Sequence, residues 1–205
     1  MSGQGDGERN LSRRMILAAP AMLAAPVALA LGHTMINAQD GKNVHPNEPR
    51  QLIAYLTRSG NTRVIAETLQ RALKADLFVI SPLQPYPADY EQHVAQATRE
   101  RASGYEPPLA ARVEAMAGYA EIFLGFPIWG ETAPPPIRSF LTAYDWGGKT
   151  IRPFITHGGY GLGNSLSVIA AHAPDAQIAE AFVMEADQER RTLNQVNGWL
   201  GRIQG

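Results

Sequence analysis

From Gln51 onward the sequence alternates short apolar runs with longer stretches of helical spacing. Gln51–Leu56 is the first run, and Val64, Ile65, Leu69 and Leu73 then recur on one face of a helix over Thr62–Leu73. Asp76–Ser81 contains LFVI, a second strand. The proline-rich PLQPYPADY, Pro82 to Tyr90, leads into a helix capped by Asp89 and reaching Ser103. EIFLGF, Glu121 to Phe126, is a third strand. Pro134–Tyr144 is a helix whose prolines suit only its first turn. Thr150–Thr156 is a fourth strand with Pro153 inside it, a residue that removes one ladder donor. Asn164–His172 is a helix, Gln177–Val183 a fifth strand and Gln188–Ile203 a closing helix. Strands that are apolar throughout, rather than alternating, are covered on both faces, so the pattern predicts an α/β domain around a parallel sheet.

In such a sheet ligands bind beyond the carboxyl ends of the strands, where the strand order reverses. The loops after the first, third and fourth strands are TRSGNT, PIWGET and HGGYGLGN. The first places Thr57, Ser59, Gly60, Asn61 and Thr62 immediately before a helix. Free backbone N–H groups and the positive end of the helix dipole favour a phosphate there, with the hydroxyls and the amide as further donors and Gly60 allowing a tight turn. A helix cap alone needs one such residue rather than five. The loop holds no lysine and G-x-x-x-x-G-K-[ST] is absent, which argues against an NTPase. In the second loop, Trp129 between Pro127 and Gly130 offers an indole for stacking on a flat ligand. In the third, Gly158, Gly159, Gly161 and Gly163 surround Tyr160 and let backbone amides come close to a ligand. Their spacing is not that of a dinucleotide fingerprint. GNSLS is not G-x-S-x-G, so a nucleophile-elbow hydrolase is disfavoured. His157 is a wall residue or a proton donor; His157 and His172 lack a third ligand at a metal-binding spacing, so no metal site is expected. Arg138 faces either solvent or the second loop.

A phosphate at one end and a flat heteroaromatic ring at the other describe a flavin mononucleotide. The three loops, in this order, resemble those of the flavodoxins. TRSGNT is similar to the family's phosphate loop, with Ser59 in place of the commoner threonine; LGFPIWGETAPPPIRSFL, PFITHGGYGLGNSL and PLQPYPADY look like a bacterial branch of the family. The resemblance covers Gln51 to the C-terminus. It implies a three-layer flavodoxin-like fold with a five-stranded parallel sheet in order 2-1-3-4-5, binding FMN non-covalently. Thr57, Ser59, Asn61 and Thr62 would hold the phosphate, with Gly60 permitting the turn. Pro127, Ile128, Trp129 and Gly130 would border the ring, and Thr156, His157, Gly158, Gly159 and Tyr160 would form its other wall. Carrier flavodoxins are strongly acidic, whereas this chain has a formal net charge of −1, with only Glu131 acidic beside the ring loops. The expected function is that of an FMN-binding redox protein in electron transfer, serving a partner protein or a small acceptor. An FMN-dependent NAD(P)H:quinone-type reductase and a flavin-free binding module are the alternatives.

The near-neutral charge implies no nucleic-acid partner. The absence of cysteine excludes disulfides and thiol chemistry. Ahead of the domain, SRRMIL, Ser12 to Leu17, precedes an apolar run to Leu31 that is interrupted by Pro20 and Pro26. This resembles a twin-arginine export signal over residues 1–38, with cleavage after Ala30 or Ala38, followed by a polar linker over 39–50. The expected location is the periplasm, with no membrane span in the mature chain; an uncleaved inner-membrane anchor is the alternative.

Overall fold

The computed structural model describes residues 50–186 and 189–204. The expected export signal and linker therefore lie outside the described residues, apart from Arg50, which opens the first strand. The chain runs β1 (Arg50–Tyr55), α1 (Asn61–Leu73), β2 (Asp76–Val79), α2 (Tyr90–Ser103), a 3-10 turn (Met116–Gly118), β3 (Tyr119–Pro127), α3 (Pro135–Thr142), β4 (Thr150–His157), α4 (Ser165–His172), β5 (Gln177–Ile178), β6 (Phe182–Glu185) and α5 (Glu189–Gln204). The sheet is parallel, in the order β2-β1-β3-β4-β5, with β6 also on β4. This is the expected order.

Alternate residues of each strand feed two cores. Leu52, Ala54, Ile122, Leu124 and Phe126 pack with Ile137 and Phe140 of α3 and Ile169 of α4. Ile53, Tyr55, Phe123 and Phe154 pack with Ile65 and Leu69 of α1 and Val196, Trp199 and Leu200 of α5. Gly125 completes the second layer by absence: a Cβ there would lie 2.0 Å from the Phe154 ring, which occupies the space.

Two departures from the expected elements have physical causes. The fifth strand is broken into β5 and β6. Ile151 pairs with Ile178 and Phe154 with Phe182, so the edge chain carries one residue more than β4 between those pairs and bulges. That bulge also explains Pro153. The carbonyls of Ile151 and His157 accept from Ala179 and Ala186 on the β5–β6 side, and alternation points Pro153 the same way. Its missing N–H therefore faces the interruption in the edge strand, where no ladder partner is forfeited.

The second departure is α2. Its Asp89 cap is as expected, with Oδ1 accepting from Gln92 N at 2.9 Å. The helix is nevertheless an excursion: Leu83 N donates to Pro108 O and Ala110 N to Ser81 O, closing its base just beyond β2. The chain leaves and re-enters at the carboxyl end of the sheet, and α2 lies beside the ligand-side loops rather than forming an ordinary crossover.

Candidate functional site

The first loop turns on Gly60, whose N–H donates to Thr57 Oγ1 at 3.0 Å and whose φ of 97° suits glycine. Gly60 is the N-cap of α1, and among the described residues no side-chain cap hydrogen bond is made there. The first helical bond runs from Val64 N to Gly60 O. Ser59 is exposed, and Thr57 and Asn61 are half-buried. The concentration of hydroxyls thus has no helix cap to account for it. Thr62 is buried, and its Oγ1 lies 2.9 Å from Thr156 Oγ1 at the end of β4.

Thr156 is the hub of the site. Its hydroxyl meets the first loop through Thr62, and its carbonyl accepts from Ile128 N of the second loop at 2.8 Å. The second loop then closes a turn from Trp129 N to Thr132 O, with Gly130 and Glu131 both at positive φ. Glu131 passes its carbonyl to Asn164 N of the third loop at 3.1 Å. Gly163 makes that approach possible, since a Cβ there would lie 1.9 Å from Glu131 O. The three loops are therefore joined in one continuous set of contacts.

The ring-wall residues divide. Pro127 and Ile128 are half-buried at the end of β3. Trp129 packs away from the third loop, edge-on to His93 at 4.3 Å and to Tyr86 at 5.0 Å between ring centroids. Tyr160 is 84 % exposed, and no aromatic contact pairs it with Trp129. His157 holds its loop locally, its Nδ1 accepting from Gly159 N at 3.1 Å. Gly158 and Gly159 are exposed, and a Cβ on Gly158 would meet nothing within 4 Å, so internal packing does not require a glycine there.

The structure adds Arg101, Glu185, Tyr86 and His93, which the sequence did not single out, and places Arg138. Arg101 of α2 donates to the carbonyls of Trp129 and Gly130 at 3.2 and 3.1 Å. Arg138 lines a hollow of about 450 Å³ between the second and third loops, together with Arg101, Thr132, Tyr160 and Asn164. Thr132 Oγ1, Arg138 Nε and the neighbouring Ser165 Oγ are buried there without hydrogen-bond partners. Glu185 approaches the third loop, its Oε1 3.7 Å from where a Gly159 Cβ would be, so Glu131 is not the sole acidic group near the loops. Behind Trp129, burial and then the charge of Arg58 lower the pKa of His93. Burial and the carboxylate of Glu100, to which its hydroxyl donates, raise that of Tyr86. A stripe on α2, His93, Ala97 and Arg101 at every fourth position, was the available signal for this contact.

A parallel sheet of this order, with uncapped and glycine-rich loops gathered at its carboxyl end, defines a doubly wound α/β protein of flavodoxin type. The chain belongs to the flavodoxin family, whose model matches residues 50–203. A candidate flavoprotein from Bacteroides eggerthii DSM 20697 is 30 % identical, with a TM-score of 0.66 over 77 % of this chain and 99 % of that one. A second, from Bacteroides uniformis ATCC 8492, is 25 % identical, with a TM-score of 0.64 over 73 % and 98 %. A Lactobacillus acidophilus NCFM flavoprotein crystallised with FMN is 21 % identical, with a TM-score of 0.57 over 72 % and 99 %, a likeness of fold. None of the curated proteins matches the chain.

Proposed function

We propose that the chain binds FMN non-covalently and works in electron transfer. The observation that carries this reading is the linkage of three loops through Thr156 beside an α1 N-terminus that no side chain caps. The donor chemistry fits a phosphate. Thr57 accepts from Gly60 and retains its own proton to donate, Ser59 is exposed, and the helix dipole favours an anion. Thr57, Ser59 and Asn61 would hold the phosphate directly. Of the paired hydroxyls of Thr62 and Thr156, one donates to the other and leaves one proton to give onward. The bare backbone around Gly158 suits a flat ring, with Pro127–Gly130 and Thr156–Tyr160 as its borders. FMN bound there would supply one- and two-electron redox chemistry. The chain's own part is to hold the phosphate, seat the ring and exclude water from one of its faces. The visible spectrum of the purified protein tests this reading: a flavin spectrum restored to the apoprotein by FMN supports it, and failure to take up FMN overturns it.

A second reading, an FMN-dependent reductase taking electrons from a nicotinamide, is favoured by Arg101 and Arg138 at the second loop, where a general carrier would place acidic groups. Anaerobic titration separates the two: reduction by NADH or NADPH alone supports the reductase, and reduction by a partner protein but by neither nucleotide supports the carrier.

The proposed location is the periplasm, reached through SRRMIL. FMN is made in the cytoplasm, so a chain that folds around it needs a route for folded proteins. No helix among the described residues is long and apolar enough to cross a membrane. Arg13→Lys with Arg14→Lys should trap a folded, flavin-loaded precursor in the cytoplasmic fraction; wild-type export of the double variant would overturn the proposal.

A further inference from the structure

A second cleft, of about 560 Å³, opens on the β2 side of Trp129, between the segments after β1 and β2 and the start of α2. No residue of the third loop lines it, so it is distinct from the hollow between the second and third loops, although it borders the first loop at Thr57 and the second at Trp129. Its walls are apolar and flat: Pro82, Pro85 and Pro87 from the proline-rich connection, with the rings of Tyr86 and Trp129. Its size falls within the range of small-molecule sites, roughly 300–1,000 Å³.

Besides the hydroxyls of Thr57 and Ser81, two polar groups, His93 and Arg58, interrupt this lining at unlike depths. His93 is 6 % exposed, and its Nε2 is buried without a hydrogen-bond partner. With its proton on Nδ1, the neutral ring presents Nε2 as a lone-pair acceptor. A buried acceptor left unsatisfied is costly, and a ligand hydroxyl would satisfy it. Arg58 is exposed; its guanidinium lies 5.1 Å over the Tyr90 ring, with only a 3.5 Å contact to Ala88 O, and it pairs with no carboxylate among the described residues. The cleft thus combines flat apolar walls, an inner acceptor and an outer cation.

We propose that this cleft binds a hydroxylated aromatic acid, its rings between the prolines and Tyr86, its hydroxyl donating to His93 Nε2 and its carboxylate at Arg58. The indole of Trp129 lies edge-on to His93 and lines the cleft, so a ligand there meets it. Binding is thereby reported on the loop that also serves the three-loop site. The proposal does not depend on the flavin reading.

The test titrates the full chain, with and without FMN, with 6-hydroxy-2-naphthoate, 2-naphthoate and 2-naphthol, following tryptophan fluorescence and the His93 ring signals by NMR. The hydroxy acid should bind in both states without displacing FMN and should shift the His93 signals. Loss of its hydroxyl should weaken binding about 2- to 10-fold, the range of one neutral hydrogen bond. Arg58→Ala should abolish the preference for the acid over 2-naphthol. His93→Phe should abolish the preference for the hydroxyl, and His93→Gln, which keeps an acceptor, should retain part of it. Equal binding of the hydroxy acid and 2-naphthoate by the wild type, displacement of FMN by either, or no binding at millimolar concentration would overturn the proposal.

Discussion

The two sides of Trp129 are built in opposite ways. On the β2 side, Tyr86, His93 and the indole pack ring against ring, and α2 is held over them by Arg101. On the β4 side, the third loop is exposed backbone: a Cβ on Gly158 would meet nothing within 4 Å and Tyr160 is 84 % exposed. Aromatic packing makes the first side a support built of side chains in mutual ring contact. The second side makes most of its contacts through main chain, which leaves its surface available to a ligand. A site for a flat cofactor needs both, a rigid back and an open front.

Glycines within the third loop test the division most severely. Gly163→Ala should cost about 2–5 kcal/mol, combining left-handed strain of roughly 1–2 kcal/mol with overpacking of roughly 1–3 kcal/mol against Glu131. Gly158→Ala should stay within about 0.5 kcal/mol of wild type yet weaken FMN. Thermal melts with and without FMN check both; a large apo-state loss in Gly158→Ala would mean that this part of the loop is packed rather than open.

The aromatic pair gives a smaller contrast. Trp129→Ala should cost about 2 kcal/mol, less than a fully buried aromatic because the indole is only half-buried. Tyr160→Ala should change stability by less than about 0.5 kcal/mol. Urea midpoints measure the difference, and similar losses in both would erase the distinction between the two sides.

The smallest effect is a pH dependence confined to the closed side. The pKa of His93 is lowered from its ordinary 6.5, by burial first and Arg58 second. In the window between the folded value and 6.5 the unfolded chain holds the extra proton, so stability rises with pH there. It is complete above pH 6.5 and is lost as the pH falls through 6.5 towards the folded value. His93→Phe should flatten that slope in denaturation curves; an unchanged slope would assign it to another group.

Periodicity made most of this fold legible, because β1, α1, β3 and α3 each carry their signal within a few consecutive residues. What escaped depends on partners distant in sequence. The prolines before α2 show that the chain turns, but only the pairing of Leu83 with Pro108 shows that it returns to the same end of the sheet. Pro153 looks like a flaw in β4 until the bulge in the edge strand is seen beside it. In the site, the hydroxyls of the first loop were recognisable as a group, and the glycines of the third were recognisable as backbone meant for close approach. That Thr62 spends its hydroxyl on Thr156, 94 residues away, was not readable, nor was the turning of Trp129 towards His93.

The central claim is that the first loop holds a phosphate, and the affinities of the apoprotein for FMN and riboflavin test it most directly. Two hydrogen bonds to a charged group at roughly 1.5–3 kcal/mol each should make FMN tighter by at least about 100-fold. Ser59→Ala with Thr57→Ala should close most of that gap and leave riboflavin binding nearly unchanged. Equal affinity for the two flavins in the wild type, or equal losses for both in the double variant, would contradict the account.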